Sequence, residues 1–183
     1  MERYTAPHYW ISYLPLDDYI PFVDFFVVFY CMWYAYVIGT GFFLMFADVP
    51  VFCRFMRHMM IGLIASLLIC FLFPNAQELR PDTFEKHTVF TAAVQAIYSA
   101  DTNTNVLPSM HVVGAFAAAA AACKSAKFHK AMKWFMAVLA VLICVSTVLI
   151  KQHSVLDLFA GVLLSVPAYF LAYSSRHTGK DAK

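Results

Sequence analysis

Two histidines, a carboxylate and a small set of cations and hydroxyls carry the chemistry that can be read from this chain. His153 and Asp157 lie one helical turn apart in "STVLIKQHSVLD", residues 146–157, so a carboxylate stands behind an imidazole on one helix face. Such a partner holds the ring in the tautomer that leaves its other nitrogen unprotonated and able to attack. His111, in "LPSMHV" (107–112), is a second group able to carry a proton. Arg80, Lys151, Ser109 and Ser146 supply the positive charge and hydroxyl donors that phosphate chemistry needs. Each also has a plainer reading when taken alone: a surface His-x3-Asp pair, a Pro-Ser helix cap, a lysine snorkelling to an interface. Their occurrence in three segments that can meet on one face favours the chemical reading over the plain one.

The elements that must position these groups are membrane helices. Of 183 residues 62% are hydrophobic, 17% aromatic and only 13% charged, and the mean hydropathy is +0.67, far from the usage of soluble domains. The composition predicts an all-α, polytopic membrane helical bundle forming a single domain over 1–183, since no linker, repeat or low-complexity tract divides it. A net charge of +2, dispersed along the chain, excludes nucleic acid as a partner class. Cys31, Cys53, Cys70, Cys123 and Cys144 show no C-x-x-C pairing and read as small buried apolar residues without a disulfide. The candidate segments hold no cluster of Asp and Glu suited to Mg²⁺, so neither a metal nor a cofactor is expected.

Charge-free runs place five spans at about 22–46, 57–73, 108–123, 132–151 and 154–173. The last two must be separated by a turn near "KQHS", because one helix over both would extend roughly 60 Å, twice the hydrocarbon thickness. The start of the chain, "MERYTAPHYWISYLPLDDYIP", lacks the pattern of a signal peptide, and Tyr4, Tyr9, Trp10 and Tyr13 suit an interfacial segment over 1–20. Sorting charges by side places nine of the 13 basic residues at one end: Arg54, Arg57, Lys124, Lys127, Lys130, Lys133, Arg176, Lys180 and Lys183. The positive-inside rule makes that end cytoplasmic and puts the N-terminus, the 74–107 loop and the "KQHS" turn outside, and the short loops point to a multi-pass protein of a bacterial inner membrane. "FPNAQELRP" (73–81), "LPSMHV" and "STVLIKQHSVLD" can then meet at the outer face. Asn75 and Gln77 are weaker donors nearby, with Asn75 otherwise read as loop. His8, His58, His87, His129 and His177 read as interfacial or loop residues, and "AFAAAAAAC" (115–123) as a close-packing surface.

These three segments resemble the motifs of the type 2 phosphatidic acid phosphatase superfamily, K-x6-R-P, P-S-G-H and S-R-x5-H-x3-D. The second appears as Pro108, Ser109, Met110 and His111, and the third as Ser146, Thr147, five residues, His153, three residues and Asp157. Arg80 and Pro81 match the end of the first, with Phe73 where the family has lysine; Met110 and Thr147 replace its glycine and arginine. The resemblance, over roughly residues 73–160, implies a vanadium-haloperoxidase-like phosphatase core and metal-independent attack by His153 on a phospholipid or polyprenyl phosphate or pyrophosphate. It implies a phosphohistidine intermediate, Asp157 orienting the nucleophile, and His111 as general acid and then base. Arg80, Ser109, Ser146 and Lys151 would hold the phosphate. Two further readings stand beside hydrolysis: a lipid phosphotransferase similar to sphingomyelin and inositol phosphorylceramide synthases, and a non-catalytic membrane protein binding lipid, or haem or a metal through His111 and His153.

Overall fold

Where water is scarce the backbone must satisfy its own hydrogen bonds, and the apolar runs of this chain do so as helices. The computed structural model describes residues 8–84 and 87–174. Tyr4, the charges Arg3, Lys86, Arg176, Lys180, Asp181 and Lys183, and His177 lie outside the described residues. The chain begins with the short strand β1 (Trp10–Ile11), a 3-10 turn (Pro15–Tyr19) and a second one (Asp24–Phe26) leading into α1 (Val27–Ala47). Then come α2 (Val49–Leu72), β2 (Asn75–Ala76), α3 (Val89–Ala100), α4 (Met110–Lys124), α5 (Lys130–Leu149) and α6 (Val155–Tyr173). The two strands pair in parallel, Trp10 with Asn75 and Ile11 with Ala76.

This is the expected all-α membrane fold. Among the described residues four helical stretches are long and apolar enough to cross a membrane: Asp24–Ala47, Val49–Leu72, Lys130–Leu149 and Val155–Tyr173. The fifth expected span, α4, has 15 residues and is the bundle's axis. It packs on α1, α2, α5 and α6. Val112, Val113, Ala115, Ala117, Ala118, Ala121 and Ala122 are fully buried, so the alanine run is the close-packing surface its composition suggested. The approach is tight enough that a Cβ on Gly114 would lie 2.7 Å from Trp33 Nε1, and one on Gly161 of α6 would lie 2.9 Å from the Ser109 carbonyl oxygen.

Four expectations need correction. The second span begins at Val49 instead of 57, leaving only Asp48 between α1 and α2. Asp48 caps the new helix by accepting from Val51 N at 3.4 Å, with Pro50 in its first turn. Arg54 and Arg57 lie inside this helix, so the helix begins before the charge-free run does. The 74–107 segment is not loop throughout. It contains α3, nucleated by a reciprocal cap in which Thr88 N donates to Thr91 Oγ1 (2.8 Å) and Thr91 N to Thr88 Oγ1 (3.1 Å). His58 is neither interfacial nor loop: it is buried in the bundle, 3.0 Å from Ser165 Oγ across the α2–α6 contact. Of the cysteines, all free, only Cys70 and Cys144 are buried, while Cys31, Cys53 and Cys123 are exposed on the apolar exterior.

The bundle has two chemically distinct ends. Asp48 accepts from Ser125 Oγ at 2.6 Å, tying the α1–α2 junction to the end of α4, and around this end lie Arg54, Arg57, Lys124, Lys127, Lys130 and Lys133. At the other end, where α4 and α6 begin, the described basic residues are Arg80 and Lys151.

Candidate active site

His153 sits in the turn between α5 and α6. That turn is closed by the Thr147 carbonyl, which accepts from both Gln152 N and His153 N at 3.0 Å, and it passes through Lys151 in the left-handed region with φ 54°. His153 Nδ1 lies 3.3 Å from Asp157 Oδ2. An ionised carboxylate can only accept, so this contact assigns the proton to Nδ1 and leaves Nε2 with a free lone pair. Asp157 is fully buried. Its Oδ2 also accepts from Ser154 N at 2.9 Å, its Oδ1 from Ser12 Oγ, and its backbone carbonyl from Ser109 N at 3.2 Å. One residue therefore joins the His153 turn, the first turn of α6 and the start of α4.

His111, in the first turn of α4, faces His153 with ring centroids 6.0 Å apart. Its ring stacks on Tyr30 at 4.2 Å and packs against Trp33 at 4.6 Å, both from α1. His111 Nε2 and Ser109 Oγ are buried and have no hydrogen-bond partner among the described residues. No side chain caps α4, so its first N–H groups, which have no partner within the helix, remain available beside them. Buried donors are ordinarily satisfied, and a set of orphans at a helix start suits an anionic ligand.

Arg80 adjoins this centre through Gln152. Its Nη1 donates to Tyr98 O (3.1 Å), and its Nη2 to Asp101 O (3.1 Å), Thr102 O (3.0 Å) and Gln152 Oε1 (3.0 Å), while the guanidinium lies 4.5 Å over the Tyr98 ring. Burial lowers its pKa, with Tyr98 and Asp101 opposing the shift. Its buried Nε has no partner among the described residues. Most of this arginine's donors thus bind α3's C-terminal end to the His153 turn. Lys151 Nζ donates to the Asp17 carbonyl at 2.7 Å; burial lowers its pKa, and Asp17 and Asp18 oppose that. Ser146 Oγ donates to Ile143 O at 2.6 Å within its own helix. The structure thus brings His153, Asp157, His111 and Ser109 together, sets Arg80 and Lys151 at the margin with Arg80's Nη1 and Nη2 and Lys151's Nζ bonded to backbone and Gln152, and leaves Ser146 below the turn. Phe73, at the family's lysine position, is exposed and meets Trp10 edge-on at 6.3 Å.

Tyr30 and Trp33 are additions to the expected site, and Asn75 and Gln77, expected only as weaker donors nearby, turn out to be buried supports of its walls. Tyr30 and Trp33 enclose His111, and their three-residue spacing in "YCMWY" was the available signal. Asn75, expected as loop, is fully buried: its Oδ1 accepts from Leu107 N (2.8 Å) and its Nδ2 donates to Leu107 O (3.2 Å), holding the segment before Pro108. Gln77, also fully buried, donates through Nε2 to Lys151 O (3.2 Å) and Gln152 O (3.4 Å). Among the described residues no three His, Cys, Asp or Glu side chains are grouped to hold a metal ion.

A family model described as "PAP2 superfamily" matches residues 56–180, well over half of the chain and all three segments of the site. The chain belongs to the PAP2 superfamily, the type 2 phosphatidic acid phosphatase superfamily, and so to a class of phosphatases and phosphotransferases. Comparison with curated proteins and with solved structures gives no match.

Proposed function

We propose that this protein hydrolyses a lipid phosphate or pyrophosphate, without a metal, through a phosphohistidine on His153. The observation that carries the reading is the pairing of an Asp157-backed His153 with two buried, unpartnered polar atoms, Ser109 Oγ and His111 Nε2, at the uncapped start of α4. His153 Nε2 attacks phosphorus while the bond to the leaving oxygen breaks, and His111 gives that oxygen a proton. Water then attacks the phosphohistidine, passes a proton to His111, and the P–N bond breaks to release phosphate. Charge on the equatorial oxygens is met by Ser109 and the first N–H groups of α4, with Arg80 Nε at the margin. Membrane burial of the helices makes a phospholipid or polyprenyl phosphate the fitting substrate. The six-to-two division of described basic residues between the ends supports an orientation with the site outside the cytoplasm, as in a bacterial inner membrane.

The aromatic packing of His111 supports a second reading. Tyr30 and Trp33 shield the proton carrier from bulk water, which suits an alcohol entering from the lipid phase and hence a phosphotransferase. One assay separates the two: purified protein is given labelled phosphatidic acid, phosphatidylglycerophosphate or polyprenyl pyrophosphate, with and without diacylglycerol or ceramide, beside His153→Ala. Phosphate release without acceptor, unaffected by EDTA and absent in His153→Ala, is the expected result. Turnover only with the alcohol, with label in a new lipid, replaces hydrolysis by transfer. Full activity in His153→Ala, or strict dependence on added Mg²⁺, refutes both.

A further inference from the structure

We infer that Ser12 and Asp17, on a strap that precedes the first membrane helix and lies outside the 56–180 family match, are positioning residues for His153. The inference rests on His153 being the nucleophile. The strap is fixed to the site wall by the β1–β2 pairing, with Trp10 N donating to Pro74 O (3.0 Å) and Ser12 N to Ala76 O (2.7 Å). Ser12 is fully buried, and its hydroxyl donates to Asp157 Oδ1. The other oxygen, Oδ2, takes the contacts from His153 Nδ1 and Ser154 N. With both oxygens engaged, the carboxylate cannot turn away from the imidazole without giving up a buried hydrogen bond on its far side.

Asp17, 1% exposed, holds the adjoining backbone. Its Oδ1 accepts from Val155 N (2.8 Å) and its Oδ2 from Ser154 Oγ (2.6 Å) and Leu14 N (2.8 Å). Its carbonyl accepts from Lys151 Nζ at 2.7 Å. The turn that presents His153 is therefore gripped on both flanks, at Lys151 and at Ser154–Val155, by one acidic residue more than 130 positions earlier. Lys151's left-handed backbone makes that grip necessary, because a non-glycine residue held there stores strain that its surroundings must offset.

A strap that only stabilised the fold would lower the unfolding temperature and leave kcat of the folded protein unchanged. Positioning lowers kcat at constant KM. The test uses the full chain in detergent micelles as Ser12→Ala, Ser12→Thr and Asp17→Asn, assayed below each variant's unfolding temperature. A parallel arm reads the His153 Nδ1–H signal by ¹⁵N-histidine NMR, which needs no turnover. In Ser12→Ala, kcat falls about tenfold with KM within about twofold, as expected for one lost buried donor. The Nδ1–H signal broadens or shifts, and Ser12→Thr, which keeps a hydroxyl, restores most of both. Asp17→Asn loses more, about a hundredfold, because it removes the charge and turns into a donor one of the two oxygens that accept from Val155 N on one side and from Ser154 Oγ and Leu14 N on the other. Unchanged kcat in folded Ser12→Ala and Asp17→Asn, or a rise in KM alone, overturns the inference. If no phosphate substrate is turned over by the wild type, the hydrolase reading falls while the NMR arm still decides the strap: an Nδ1–H signal identical in wild type and both variants overturns it, and a perturbed one upholds it.

Discussion

α6 and α4 begin side by side at the same end of the bundle, and their first turns are finished in opposite ways. At α6 the Ser154 N–H is taken by Asp157, the Val155 N–H by Asp17 and the Leu156 N–H by Ser154 Oγ, so the helix start is saturated and carries a carboxylate of its own. At α4 no side chain among the described residues caps the helix, and Ser109 Oγ, at the cap position, is buried without a partner among them. In the proposed reaction the contrast separates two tasks. A nucleophile has to be immobile, which asks for every donor around it to be used. An oxyanion site has to keep donors in reserve for charge that is brought by the substrate. An anion directed to α6 would meet the Asp17 carboxylate, whereas at α4 it would meet N–H groups and a hydroxyl, which is why the proposed reaction places the phosphate at α4.

Four substitutions test that division, in falling order of effect. His153→Ala removes the group the saturated side exists to hold, and kcat for phosphate release is expected to fall by at least ~10⁴ while thermal unfolding stays near wild type. A folded His153→Ala protein that turns over substrate would end the assignment of α6 as the nucleophile's helix. Gly161→Ala leaves every functional group in place but sets a methyl 2.9 Å from the Ser109 carbonyl and 2.8 Å from Val112 Cβ, pushing α4's start away from α6. About a hundredfold loss of kcat is expected, with a stability loss of about 1–3 kcal/mol read by thermal unfolding. Wild-type turnover there would show that the spacing of the two helix starts is not critical.

Ser109→Ala tests the reserve side alone. It is expected to weaken inhibition by orthovanadate about tenfold, the worth of one hydroxyl donor to a charged ligand, while leaving the His153 Nδ1–H signal as it was. An unchanged inhibition constant would remove Ser109 from the oxyanion site. Lys151→Gly should do least. The ammonium is spent on the Asp17 carbonyl, and glycine relieves the left-handed backbone, returning about 1 kcal/mol against the lost hydrogen bond. A kcat within about threefold of wild type is expected on that balance. A loss of a hundredfold would mean that Lys151 reaches the phosphate and belongs with α4's donors.

The sequence was most legible where an interaction is local. His153 and Asp157 are four residues apart, and their pairing follows from the helix repeat alone. Lys130–Leu149 and Val155–Tyr173 lie within two residues of the expected spans at both ends, because a turn had to fall between two apolar runs too long for one helix. α2's start was hidden by its arginines, and α3 by a polar surround in which only the Thr88–Thr91 cap marks the helix start. The strap was the least legible part. Asp17 and Asp18 are adjacent and chemically identical, yet one is buried on α6 and the other is exposed, and nothing near them in sequence distinguishes the two. The partners that decide it, Ser154 and Val155, are 137 and 138 residues away.

That separation has a consequence in time. The Ser12–Asp157 bond spans 145 positions, among the most non-local contacts a chain of this length can make. Contacts of such high order close late, after the loop entropy between them has been overcome. A ribosome threading this protein into a bilayer releases α1, α2, α4 and α5 before α6 exists, so the strap has no partner at Asp157 until the last helix is made. The strap and the turn it holds therefore join in one late docking event, and chains that stop short of α6 lack Asp157 and the contact it makes with Ser12.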